Sequence, residues 1–245
     1  SFDFNDRLNE LLANGFDEEE ITIIRNSFLT LTNDIINEKN IKIKDELQKA
    51  KSLNKKRREI QSSDISIEFK IIKILEDCKE FGTLPFSILA RFGFVGAILM
   101  KSLVKKNVIS QNDLDLFMGS IKTIAKDFII DLSELRANTV TQDNFLDKYG
   151  HLRPGSYDIN SMTYKENFDN YIQIDKVTPD TSDENSAFHF PADTLVQITQ
   201  AINDNGCQFD VDALLSFTRR ATEARELAKF EFTKNLSLAL DLIKE

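Results

Sequence analysis

Apolar residues return at steps of three and four through most of this chain, a spacing that suits helices and is wrong for strands. Behind Asp17 and Glu20, a capping-box pair, Ile21, Ile24, Phe28, Leu31 and Ile35 mark one face of a long helix, and a short helix over Leu8–Ala13 precedes it. After Ser63-Asp64, the stripe Ile65, Phe69, Ile72 and Leu75 describes another helix, which the sequence ends at Gly82 with a left-handed residue. Pro85 then opens a helix at a position where a missing N–H does no harm. Residues 86–104 are apolar almost all round, as in a central core helix, and Gly93 and Gly96 admit another backbone closely. Arg91 within that run and Lys101 at its end argue against a membrane span, since an arginine at mid-bilayer costs roughly 2.5–3.5 kcal/mol. Ser110 with Asp113 caps a further helix through Phe117, Ile121, Ile124, Phe128 and Leu132. Pro191 starts one through Leu195, Ile198 and Ile202 that closes at Asn205-Gly206, and Asp210 caps a last long helix reaching Ile243. Over 149–191 the periodicity fails, and the segment reads as loops, with a short helix near 164–172 and a polar stretch at 181–186.

The expected fold is therefore all-α, an elongated multi-helix domain with a long irregular loop region between the last helices. Only 8 Gly and 4 Pro in 245 residues leave little material for the tight turns of a β protein. Residues 1–62 form an N-terminal helical arm and 63–245 a helical core. Along 41–60 the apolar positions thin out and Lys49, Lys51, Lys55, Lys56, Arg57 and Arg58 accumulate, so this part is expected to be solvated on most sides. A net charge of −9 repels phosphate backbones and anionic headgroups, so neither nucleic acid nor membrane is an expected partner. Cys78 and Cys207 lie far apart without zinc or disulfide spacing, a usage that fits a reducing, cytoplasmic setting. With two histidines, His189 lying between phenylalanines, no metal triad is expected. The start Ser1-Phe2-Asp3-Phe4, without Met, suggests an excised or processed segment.

Two places could carry chemistry. On a helical projection of the last helix, Leu214, Ala221, Phe232, Leu236, Ala239 and Ile243 share one stripe with Arg225 at its centre, beside Glu226 and Lys229. A guanidinium on an apolar face is either part of an internal ion-pair cluster or the border of a cleft for a polar or anionic ligand. The second place runs from Tyr149 to Asp158, where Gly150, Pro154 and Gly155 interrupt a helix end. Positive φ at the glycines could aim His151, Arg153, Tyr157 and Asp158 at a common point and make them substrate-binding residues. Alternatively, His151 lies at the negative end of the helix dipole and Arg153 bonds the last carbonyls.

Phe145-Leu-Asp-Lys-Tyr-Gly-His-Leu-Arg-Pro-Gly-Ser-Tyr-Asp-Ile159 resembles the Gly-His segment of the family that contains phosphoenolpyruvate synthase, pyruvate phosphate dikinase and rifampin phosphotransferase. Ala224-Arg-Glu-Leu-Ala-Lys-Phe-Glu-Phe-Thr-Lys-Asn-Leu236 resembles the Arg-Glu-x-x-Lys-Phe helix that follows it there. The stretch from Asp77 to Gly93 is similar to a subgroup described as pyruvate/phosphoenolpyruvate-binding. The resemblance implies the helical acceptor-side region of a kinase-like transferase. Its partners would be an ATP-grasp nucleotide domain and a phosphohistidine domain of the same polypeptide, together with a small-molecule phosphoryl acceptor. It also implies that Arg225 and Lys229 steady transferring phosphoryl charge while Glu226 orients a group or assists proton transfer. The family's Gly-Gly-x-x-Ser/Thr-His carrier pattern does not occur, and Leu152, Arg153 and Ser156 depart from its usual Gly-His-Arg-Gly with a later glutamate. No cofactor is therefore expected in this chain, with ATP and Mg belonging to the full-length parent, and the chain is not catalytic in isolation. The other reading is a helical protein-interaction scaffold in which the charged patch is structural and the basic arm docks an acidic partner.

Overall fold

The computed structural model describes residues 1–172 and 188–245, and among these every regular element is helical. The polar stretch at 181–186 lies outside the described residues. In order, the helices are α1 (Leu8–Ala13), α2 (Glu18–Ile36), α3 (Ile43–Ser62), α4 (Ile67–Asp77), α5 (Leu84–Lys105) and α6 (Gln111–Gly119). They are followed by α7 (Ile124–Arg136), α8 (Gln142–Tyr149), α9 (Phe168–Tyr171), α10 (Ala192–Asp204) and α11 (Val211–Lys244).

The helix starts are chemical events readable in the sequence. Asp17 accepts from the Glu20 amide at 2.8 Å while Glu20 accepts from the Asp17 amide at 3.0 Å, so two otherwise orphaned donors are satisfied reciprocally. Ser110 and Asp113 repeat the device, and the Asp210 carboxylate accepts from the Ala213 amide at 2.7 Å. Gly206 takes φ +72° after α10, the left-handed stop expected there.

Three expectations need correction. The helix does not stop at Gly82: α4 runs into α5 through a π-helical turn, Cys78–Thr83. Pro85 supplies no N–H to that turn; within it the Leu84 amide donates to the Lys79 carbonyl, and the Thr83 hydroxyl donates to the Cys78 carbonyl at 3.1 Å or the Lys79 carbonyl at 3.2 Å. Gly82 is needed for close approach, since a Cβ there would lie 2.6 Å from the Phe232 Cβ. The helix expected from Ser110 to Leu132 is two, because Gly119 ends α6 and Thr123 caps α7 by accepting from the Lys126 amide at 3.4 Å. On α2, Phe28 and Leu31 are exposed and the buried positions are Ile21, Asn33 and Ile36. The stripe is therefore rotated, because Asn33 turns inward to accept from the Gln208 amide at 2.8 Å.

By compactness the chain divides into two units, each assembled from three stretches. The first comprises Ser1–Ile43, Ala90–Ile121 and the described part of Asn185–Thr222; the second comprises Lys44–Leu89, the described part of Lys122–Glu184, and Glu223–Glu245. Neither coincides with the 1–62 and 63–245 segments. In the first unit Gly96 lets α5 approach α11 so closely that an added Cβ would sit 3.1 Å from the Thr218 Cα, and Phe92 meets Phe217 at 5.7 Å between ring centroids. The continuous helix Ile67–Lys105 is long and apolar enough to cross a membrane by length and composition. Leu89, Leu99, Met100 and Leu103 on it are buried, but Phe94 and Ile98 are exposed, so it is not enclosed all round.

In the second unit, Leu135, Phe145, Tyr149, Phe168, Ile172 and Phe230 form one apolar cluster, and Leu53, Cys78 and Phe232 another. Burial raises the Cys78 thiol to about 11, as befits a packing residue. Along 41–60, α3 buries Ala50, Leu53 and Ile60 on one side and leaves Lys49, Lys51, Lys55 and Arg58 exposed. Of its lysines, Lys56 covers apolar surface, its ammonium 4.1 Å from the Phe81 ring centroid and 3.1 Å from Asp77.

Candidate functional site

Helix α11 decides where charge can lie in the second unit. Its buried positions Leu214, Phe217, Ala221, Ala224, Ala228 and Asn235 follow steps of three and four that repeat every seven residues, the period of a helix kept in register with packed neighbours. A straight projection drifts away from that seam, which is why Arg225 was expected on the apolar face. It lies on the flank with its side chain 29% exposed, and Nε and Nη2 both donate to Glu226, at 3.0 and 2.6 Å. Lys229 is exposed. The seam instead contains Glu231 and Asn235, both buried, one turn further on.

These two polar residues hold a cation from α3. Arg57 Nη1 donates to the Asn235 side-chain oxygen at 2.6 Å, and Nη2 stands 3.9 Å from Glu231. Lys234 reaches the same carboxylate at 3.4 Å. The Arg57 side chain is 12% exposed and that of Lys234 19%, so one carboxylate faces two largely desolvated cations. Burial lowers the pKa of both against the pull of Glu231, with Arg58 lowering Arg57 further and Arg57 and Lys148 lowering Lys234 further.

The loop after α8 supplies the third wall. Gly150 has φ −60° rather than a positive value, and its lack of a side chain matters because a Cβ would collide with the Leu146 carbonyl oxygen and lie 3.2 Å from the Lys165 Cβ. The following chain thus folds back, with the Lys165 amide donating to the Gly150 carbonyl at 3.1 Å. His151 packs edge-on to Phe230 at 4.9 Å, and its Nε2 is buried without a partner. Desolvation, reinforced by Lys234, Arg57 and Arg153, pushes the imidazole down to about 3, so it is neutral and offers a bare lone pair. Tyr149 is locked in place, its hydroxyl donating to Asp131 at 2.8 Å, and burial with that carboxylate drives its pKa well above the usual phenol range.

The other residues expected to bind substrate separate. Arg153 is buried and turns to α11, donating to the Ser237 hydroxyl and the Asp241 carboxylate at 2.7 Å each and to the Ser161 carbonyl at 3.2 Å. It bonds neither a ligand-facing group nor the carbonyls ending α8, and acts as a brace. Tyr157 is 72% exposed, and Asp158 is exposed and accepts from the Asn160 amide at 2.9 Å.

What the three walls enclose is a groove of about 440 Å³ lined by Arg57, Arg58, His151, Lys165, Lys234 and Asp241 among others. Arg57, Lys234, Glu231 and Asn235 were missed in the sequence because the 49–58 run reads as a solvated face. The available signal was a glutamate and an asparagine at seam positions of α11, where apolar residues belong.

Fold and site define an all-α protein whose second unit carries a cationic groove. Comparison with family models, with curated proteins and with solved structures gives no match to this chain.

Proposed function

We propose that this chain is the helical acceptor-binding or linker region of a multidomain, ATP-dependent phosphotransferase of the phosphoenolpyruvate synthase, pyruvate phosphate dikinase and rifampin phosphotransferase kind. One observation carries the reading: the three segments that bear the resemblance, remote in sequence, converge on one turn of α11. Tyr149 and His151 pack on Phe230, and Cys78, Gly82 and Phe86 pack on Phe232. A cationic groove opens beside that turn, the polarity a phosphoryl acceptor region needs, because phosphoryl transfer depends chiefly on positioning and on stabilising negative charge.

In this reading Arg225 and Lys229, on the accessible flank of α11, meet the phosphoryl group as a carrier histidine delivers it, and Glu226 holds the Arg225 guanidinium in place. ATP and Mg serve the nucleotide domain of the parent. The test is ATP-dependent turnover by the full polypeptide. Arg225→Ala and Lys229→Ala should each lower it by about a hundredfold or more with unchanged thermal melting, and activity within a few-fold of wild type in both variants would remove the assignment. In the scaffold reading the basic arm docks an acidic partner; Lys56 and Arg57 of that arm are engaged by Asp77 and Glu231 of the same unit.

A further inference from the structure

The second unit holds an excess of buried positive charge and a set of unsatisfied polar atoms at one place. Arg57 and Lys234 share Glu231, and of the two carboxylates that line the groove, Asp241 is committed to Arg153 at 2.7 Å. Arg58 and Lys165 add two more cations at the groove, against Asp147 and Asp241. In a chain of net charge −9 this is a local reversal of sign. Among the buried atoms without a hydrogen-bond partner, Nε2 belongs to His151, which lines the groove, and Asn235 Nδ2 and Glu231 Oε2 belong to the residues that hold Arg57. Buried polar atoms are nearly always satisfied, so such a cluster marks a place where something else supplies the partners.

The chemistry of that missing partner can be read from the atoms. Arg57 and Lys234 call for an anionic group, and arginine's planar fork favours phosphoryl or carboxylate oxygens over a diffuse charge. With the ring proton on its other nitrogen, His151 Nε2, buried without a partner, is a lone pair and requires a hydroxyl or amine donor. A simple anion satisfies the first requirement and not the second. The volume, about 440 Å³, is that of a small-molecule site.

We propose that this groove is a binding site for a small hydroxylated anion, a phosphorylated or carboxylated polyol, whose charged group lies on Arg57 and Lys234 and whose hydroxyl donates to His151 Nε2. The site deepens the acceptor-region reading, but it depends only on the geometry of this unit and stands whether or not the chain belongs to a phosphotransferase. Its residues are distinct from Arg225, Glu226 and Lys229.

The experiment is calorimetric titration of the purified chain with glucose 6-phosphate, glucose and inorganic phosphate. Glucose 6-phosphate should bind saturably and about tenfold or more tighter than either fragment, because only it meets both requirements. Lys234→Met should weaken it by about tenfold or more without lowering the melting temperature, since it removes a cation that the free protein holds at a disadvantage. His151→Phe should reduce the preference for glucose 6-phosphate over phosphate while leaving phosphate binding in place. Should Lys234→Met melt early, Arg58→Glu, at an exposed position, provides the same charge test without a packing change. Absence of saturable binding up to roughly 10 mM, the weak end of specific recognition, would overturn the proposal. So would affinity unchanged in both Lys234→Met and Arg58→Glu, or His151→Phe affecting phosphate and glucose 6-phosphate equally. Turnover measurements on Arg225 and Lys229 variants do not enter this result, so the two readings fail separately.

Discussion

Arg153 carries its charge almost wholly out of water, with its guanidinium spread over the Ser161 carbonyl, the Ser237 hydroxyl and the Asp241 carboxylate. Removing it strands a buried hydroxyl and a carbonyl and leaves a void, although Asp241, 42% exposed, can rehydrate. Arg153→Ala should therefore cost about 3 kcal/mol in urea unfolding, with an unchanged dependence on denaturant. A loss below about 1 kcal/mol would mean that the brace is ornamental. His151 and Arg153 were visible as candidates because two glycines and a proline follow a helix there. Which of them faces the groove was not visible, since that depends on how residues 152–165 fold back against α11. Arg57 was hidden for a different reason: within a run of six basic residues, nothing local distinguishes the one that a distant asparagine will accept.

At the scale of elements, helix starts were legible and helix phase was not. A capping residue acts within three positions of itself, so Asp17, Ser110 and Asp210 announce their helices without help from the rest of the chain. The passage from α4 to α5 is the opposite case, because a glycine and a proline together usually end a helix, and here a π turn carries it through. The Gly82 contact allows two effects to be weighed. Alanine in place of glycine favours a helix by about 1 kcal/mol, but its Cβ would press into Phe232 at 2.6 Å, where only backbone and Cβ atoms stand in the way. Overpacking of that kind costs about 2–3 kcal/mol, so Gly82→Ala should lower the melting temperature. Gly119→Ala, which meets nothing within 4 Å, should be neutral within about 0.5 kcal/mol. Equal behaviour of the two variants would show that Gly82 is not packed as described.

At the scale of the whole molecule, the all-α class followed from periodicity and from the scarcity of turn residues, whereas the interleaving of the chain into two units did not, because compactness depends on contacts between distant stretches. Net charge was also misleading locally: a chain of −9 still gathers cations at one groove. The groove's preference for a hydroxylated anion rests on His151 being a neutral ring whose buried Nε2 waits for a donor. Because its pKa is lowered to about 3, the unfolded chain takes up a proton that the folded chain refuses. Its contribution to stability is complete above about pH 6.5 and is lost as the pH falls towards 3. The direct measurement is the imidazole ¹⁵N spectrum, readable because the chain has two histidines. The Nε2 resonance of His151 should keep its unprotonated position from about pH 8 to pH 5 and should move when glucose 6-phosphate is added. Titration with a midpoint near 6.5, the value of a free histidine, or a resonance indifferent to saturating ligand would contradict it.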